Sequence, residues 1–367
     1  MFGSVKSPIK FQKEVGVAAA EWLQYIKELY ASKKAEVASG KKNEGMDLFA
    51  ALINGSGILD TSSKGHPKMD ESELIGNAFI LLMAGHETTA NALHFSLVLL
   101  ALHPESQKKL QREIDETLQG KPTKDWTYEE EIPRLFNGLA AAVINETLRL
   151  YQPVINLPKS TLTAQPLTIN GRQYIIPADT HVSLSSAVHR NPRYWPPVPD
   201  SSGKKHANDL NQFRPERWFL PSQSNSHPIS TRKNAQAAAK KADEEIDGPT
   251  DPDTSAHLFK PPKGSYIPFS DGYRSCIGRK FAQVELLVAL AAIFREYSVE
   301  LAVDEFATDE EVEGMQKGGQ ERRGVWEKAR ERGDWCLNKG MTSGVTLQMK
   351  GFHVPLRVMR RGEERFF

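Results

Sequence analysis

The chain has 367 residues, 39% of them hydrophobic and 25% charged, and its net charge is +1. These values describe a globular protein of one large or two ordinary domains, with no strong electrostatic pull toward nucleic acid or acidic lipid. Two cysteines, Cys276 and Cys336, exclude a disulfide framework and a four-cysteine zinc site.

The amino terminus is mixed and polar, without a secretory signal. Residues 14–35 place Val17, Trp22, Leu23, Ile26 and Leu29 near helical spacing, which predicts an amphipathic helix. A short apolar helix follows at 46–53, then a polar loop through 55–68. Asp70 with Glu73 three residues on reads as a capping box that opens a long helix reaching about 101. His103-Pro104 stops that helix and starts another over 104–118, because proline suits a first helical turn. A further helix over 137–151 ends before Pro153. Leu167-Thr168-Ile169, the turn Asn170-Gly171, and Tyr174-Ile175-Ile176 predict a β-hairpin, and 180–187 alternates like another strand. Residues 222–257 are rich in Ser, Ala, Lys, Asp and Pro and read as a flexible insertion. Helix is expected again at 279–297, a charged exposed stretch at 310–332, and strand-like sequence at 344–358. The longest apolar runs, 78–85 and 97–102, are separated by His86-Glu87-Thr88-Thr89, so neither reaches membrane-spanning length. The expected class is mainly α with small antiparallel β-sheets.

One segment concentrates chemistry: Phe269-Ser270-Asp271-Gly272-Tyr273-Arg274-Ser275-Cys276-Ile277-Gly278, running into an apolar helix. Loop N–H groups and a positive helix end both favour a thiolate over a thiol, so Cys276 is a candidate ligand for a haem iron. Gly272 and Gly278 permit positive φ or a close backbone approach to a flat ligand. Arg274 can reach a carboxylate such as a propionate, and Phe269 can cover the sulfur. A cysteine buried in a tight structural turn is the competing reading. A disulfide with Cys336 would remove the ligand, so a reducing compartment is expected.

This run resembles the cysteine-ligand loop of the cytochrome P450 family, with Phe269, Gly272, Arg274, Cys276 and Gly278 at every fixed position. Three further stretches resemble the family in its sequence order. Ala84-Gly85-His86-Glu87-Thr88 is similar to the oxygen-binding helix motif, where Gly85 could open a notch in the helix. The resemblance implies that Thr88 hydrogen-bonds dioxygen and Glu87 helps deliver protons; a bent helix with a back-bonded threonine is the alternative. Glu146-Thr147-Leu148-Arg149 together with Phe213-Arg214-Pro215-Glu216-Arg217-Trp218 implies a structural triad, Glu146, Arg149 and Arg217, holding one carboxylate between two guanidinium groups. Lys159 sits where the family carries a basic residue facing a haem propionate, although a solvated surface lysine fits equally. His189 and Asn191, in a segment similar to the family's sequence after the hairpin, read as turn and packing residues.

The resemblance implies one cytochrome P450 domain over 1–367, lacking the fold's amino-terminal part, and haem b as cofactor. It implies a monooxygenase that inserts one atom of O2 into a small apolar substrate, with electrons from NADPH through NADPH-cytochrome P450 reductase. No flavin or nicotinamide motif occurs in the chain itself, and no nucleic-acid partner is expected. The family's eukaryotic members imply the cytosolic face of the endoplasmic reticulum membrane. Two alternatives stay open: a truncated haem-binding remnant without catalysis, and a haem-thiolate isomerase or dehydratase. Loss of the roofing helices would also leave part of the long helix exposed.

Overall fold

A computed structural model describes residues 5, 6, 8–40, 48–59, 69–199, 203, 204, 209–219 and 258–366. The expected insertion at 222–257 lies outside the described residues. Two compact units divide the chain, Met1–Glu87 and Thr88–Phe367.

In the first unit, α1 (Lys10–Ala38) and α2 (Leu48–Ser56) precede the beginning of α3 (Glu71–Leu102). The capping box at Asp70 is present: Glu73 N donates to Asp70 Oδ1 at 2.8 Å and Asp70 N to Glu73 Oε2 at 2.9 Å. Tyr30 of α1 meets Ile53 and Leu74 in a small core, and Ile26, one turn before Tyr30, is also buried. Beyond it α3 is thinly covered, and Phe79, Ile80, Leu82 and Met83 are exposed.

The second unit begins on α3 at Thr88, and from Ala92 to Leu102 that helix is largely buried. Next come α4 (Pro104–Leu118), α5 (Glu131–Phe136) and α6 (Leu139–Leu150). With α7 (Arg279–Glu296) they build one core around Phe95, Leu110, Val143, Leu290 and Phe294. α6 is buried around nearly its whole circumference, Asn145 being its one half-buried residue, which marks a core helix rather than a surface one. Ser96 of α3 donates to Thr147 Oγ1 of α6 at 3.2 Å and pins the two helices together.

The expected hairpin is β2 (Gln165–Ile169) with β3 (Arg172–Ile176), turned by Asn170 and Gly171 at φ 50° and 78°. Both values are positive, as a two-residue turn of the I′ kind requires. The strand expected near 180–187 is β4 (His181–Ser185), paired antiparallel with β1 (Asn156–Ser160). A strand unforeseen in the sequence, β5 (Tyr297–Leu301), pairs antiparallel with β8 (Leu356–Arg360), and β6 (Met341–Ser343) with β7 (Leu347–Met349). The other edge of β5 is closed by side chains of α4. Gln107 donates to Val299 O and accepts from Val299 N, both at 2.8 Å, and Gln111 donates to Tyr297 O at 3.1 Å. A glutamine amide here replaces a neighbouring strand.

The charged stretch over 310–332 is mostly exposed, as expected, with one buried stripe. It folds as α8 (Asp309–Gly314) and α9 (Gln320–Lys339), and α9 buries Arg322, Val325, Ala329, Gly333 and Cys336 at helical spacing. A β-carbon at Gly333 would sit 3.0 Å from Leu102 Cδ2, so the glycine permits α9 to lie tight against α3. Among the described residues no helix is long and apolar enough to cross a membrane.

Candidate haem-thiolate site

The cysteine loop is built by backbone hydrogen bonds before any side chain matters. Ser270 N donates to Ile267 O at 3.1 Å, and Ser275 N to Gly272 O at 2.9 Å. Cys276 N then closes the loop on Phe269 O at 2.8 Å, and Arg279 N, the first residue of α7, donates to Cys276 O at 3.3 Å. Gly272 takes φ +77°, a left-handed conformation that a side chain would strain, and Asp271 Oδ1 accepts its N–H at 2.8 Å.

Both cysteines are free; Cys276 is exposed and Cys336 is buried. A β-carbon at Gly278 would stand 4.0 Å from Cys276 Sγ, an ordinary contact distance. Tyr273 and Ile277 are 93% and 92% exposed beside the thiol. Two large apolar side chains held outward on a tight loop offer a contact surface to a flat apolar ligand. Phe269 packs against the core, with the Arg279 guanidinium 6.0 Å from its ring centroid. Lys159, on β1, reaches the loop and donates to Asp271 O at 3.4 Å, while Arg274 is exposed. Sequence reasoning had placed these residues together only through resemblance; the fold brings Lys159 to the loop across 112 positions of chain.

Glu146, Arg149 and Arg217 meet as a fully buried network. Arg149 Nε and Nη2 donate to Glu146 Oε2 and Oε1, both at 2.8 Å, and Arg217 Nε stands 3.5 Å from Oε1. Trp218 Nε1 and Arg214 N each add a bond to the same carboxylate at 3.1 Å. Sequence reasoning missed the second anion. Asp209 is buried, and its Oδ2 accepts from Arg217 Nη1 at 2.8 Å. Two carboxylates therefore balance two guanidinium groups, with Arg214 at the rim, 3.5 Å from Asp209 Oδ1. A lone acid in a polar loop carries no mark in the sequence that would single it out.

The network continues toward the cysteine loop. Arg149 Nη1 donates to His189 O at 3.2 Å, and His189 Nε2 accepts the Ile267 N–H at 2.8 Å. Burial pushes the His189 imidazole down from its usual 6.5 to about 4. Tyr266 Oη donates to Asn145 O at 3.1 Å, and Trp195 Nε1 to Ser265 O at 3.3 Å. Asn191, expected as a turn residue, accepts the Arg193 N–H on Oδ1 at 3.0 Å. On α3, Glu87 is exposed at the end of the first unit and Thr88 is half-buried at the start of the second. The helix runs unbroken through Gly85. Among the described residues no three His, Cys, Asp or Glu side chains gather as a metal site.

The cytochrome P450 family model matches residues 5–317. The chain belongs to the cytochrome P450 family. It is 30% identical to a cytochrome P450 monooxygenase of Arthrobotrys oligospora over 310 residues, covering 80% of this chain and 48% of that one. It is 30% identical to cytochrome P450 3A14 of Cavia porcellus, covering 77% of this chain and 45% of that one. The chain thus spans about half the length of these curated relatives. Among solved structures, the haem domain of cytochrome P450DA aligns with a TM-score of 0.59 at 19% identity, covering 99% of this chain and 58% of that one. A second P450 crystal structure, CYP102L1, aligns with a TM-score of 0.58 at 20% identity, covering 95% of this chain and 58% of that one. These alignments, with the mainly helical architecture and its small antiparallel sheets, establish the P450 fold.

Proposed function

We propose that the chain is the haem-binding part of a haem-thiolate monooxygenase, with Cys276 as the iron ligand. The observation that carries this reading is the exposed Cys276 thiol on a loop closed by its own amide and continued directly into α7. The loop residues fit a porphyrin: the sulfur is exposed, and Tyr273 and Ile277 present apolar surface on the same loop. A lone thiolate would also suit an iron whose other ligands are supplied by its own macrocycle. When bound, haem b supplies the activation of O2 and the transfer of one oxygen atom to a small apolar substrate.

The chain's residues have distinct tasks in this proposal. Gly272 and Gly278 let the backbone approach the macrocycle, and Phe269 backs the loop against the core. Arg274 and Lys159 offer positive charge to the propionates, Arg274 as a planar fork and Lys159 as a point charge. Thr88 and Glu87, consecutive on α3, position and deliver protons. Glu146, Arg149 and Arg217 hold the segments behind the loop and touch neither substrate nor cofactor. In this reading electrons come from NADPH through NADPH-cytochrome P450 reductase, and the cytosolic face of the endoplasmic reticulum is the site of action, as resemblance to the family's eukaryotic members suggests. We assign residues 1–367 to a single P450 domain on the same ground.

Haem titration of the purified chain tests the reading. One haem per chain, followed by NADPH consumption that requires both reductase and an apolar substrate, is the expected result. Failure to bind haem overturns the reading. Weak haem binding without turnover favours a non-catalytic remnant, a second reading supported by the exposed Phe79, Ile80, Leu82 and Met83 of the first unit. Rearrangement of a peroxide without NADPH favours an isomerase or dehydratase.

A further inference from the structure

Three consecutive residues enter the cysteine loop, and each is tied to a different side chain behind it. Ser265 O receives the Trp195 indole N–H, Tyr266 Oη reaches Asn145 O, and the Ile267 N–H is taken by His189 Nε2. The third tie differs from the others because it fixes the residue whose carbonyl begins the loop's own hydrogen bonds. Ile267 O accepts from Ser270 N, and one residue after Pro268 comes Phe269 O, the acceptor for Cys276 N. Ile267 is itself buried, so its N–H has no water to turn to if the imidazole is lost.

His189 also faces the other way. Its carbonyl accepts from Arg149 Nη1, the same guanidinium that clasps Glu146. His189 is fully buried in a short 3-10 turn, Ser186–Arg190, with the Tyr266 ring 5.2 Å from its own centroid to centroid. One residue therefore joins the buried ion network to the strap that carries the thiol. A histidine chosen for packing alone would not need an unprotonated Nε2 aimed at a backbone donor.

We propose that His189 is a positioning residue for Cys276: its Nε2 accepts the Ile267 N–H and thereby fixes where the ligand loop starts. This inference rests on the haem-thiolate reading only for its consequence at the iron; the pinning of the loop stands apart from it. The groups around the ring are the Arg149 and Arg190 charges, the backbone of Leu148 and Arg149, Glu146 behind Arg149, and Tyr266, whose ring is tilted by 46° to the imidazole.

His189→Gln and His189→Asn separate acceptor from packing. A glutamine side-chain oxygen reaches the position of Nε2, whereas an asparagine oxygen stops near that of Nδ1. Amide hydrogen exchange on the haem-loaded chain and on the chain without haem reads the loop directly. His189→Asn is expected to speed exchange at Ile267, Ser270 and Cys276 by roughly tenfold or more, with the β5–β8 amides unchanged, while His189→Gln stays within about threefold of the parent. In the haem-loaded, reduced carbonyl complex, His189→Asn is expected to lose part of the red-shifted thiolate-type absorbance and His189→Gln to keep it. Equal protection in both variants, equal loss in both, or failure of His189→Gln to fold overturns the proposal. If Cys276 proves not to ligate iron, the exchange contrast persists and only the absorbance contrast vanishes.

Discussion

Replacing Glu146 by Gln keeps the side chain's shape and removes one of two negative charges from a buried network. Glu146 is 0% exposed and accepts from Arg149 twice, from Trp218 and from Arg214 N. Without it Asp209 alone faces Arg149 and Arg217, which are 2% and 0% exposed. One guanidinium charge is then uncompensated in a site that water does not reach. Removing one partner of a buried pair costs about 3–5 kcal/mol, a large share of the roughly 5–15 kcal/mol that separates folded from unfolded domains. Urea unfolding followed by far-UV circular dichroism checks this, with the midpoint expected to fall by about 1–2 M. Asp209→Asn should also destabilise, and the double variant should deviate from additivity by more than about 0.5 kcal/mol, because both acids share Arg217. A Glu146→Gln midpoint within about 0.3 M of the parent refutes the argument that the network's charge balance holds this unit together.

The buried imidazole of His189 gives a pH dependence of defined sign. Its folded value, about 4, lies below the ordinary 6.5, so between those values the unfolded chain binds a proton that the folded chain does not. The stability this contributes is complete above pH 6.5 and is lost as pH falls toward 4, by at most roughly 3 kcal/mol. Urea midpoints at pH 7 and 4.5 should therefore differ less for His189→Gln than for the parent. At the β5 edge, Gln107→Leu removes both side-chain bonds to Val299 and leaves a buried N–H and C=O unpaired. A destabilisation of roughly 2–5 kcal/mol is expected, with faster amide exchange at Val299 as its local mark.

What the sequence disclosed follows from how tightly each feature is dictated by local chemistry. The cysteine loop was legible because Gly272 serves a backbone need that few other residues meet, and the hairpin because Asn170-Gly171 has positive φ at both positions. Asp209 was not, since its importance arises only when the fold brings it to Arg217. β5 was not foreseen, its first residue Tyr297 being the expected end of a helix, because its partner, β8, lies about sixty residues away and its second edge is supplied by glutamines. β1 contains Pro158, which argues against a strand, yet a two-stranded ribbon leaves room for a residue without an N–H. The buried side of α9 was hidden by its many Arg, Glu and Lys residues; Gly333 marks the contact, and its meaning appears only with Leu102 opposite.

The reduced carbonyl spectrum of the haem-loaded chain, compared between the parent and Cys276→Ser, bears most directly on the site. The account predicts a red-shifted thiolate-type band in the parent and its complete absence in Cys276→Ser. The same band surviving in Cys276→Ser would mean that another group holds the iron.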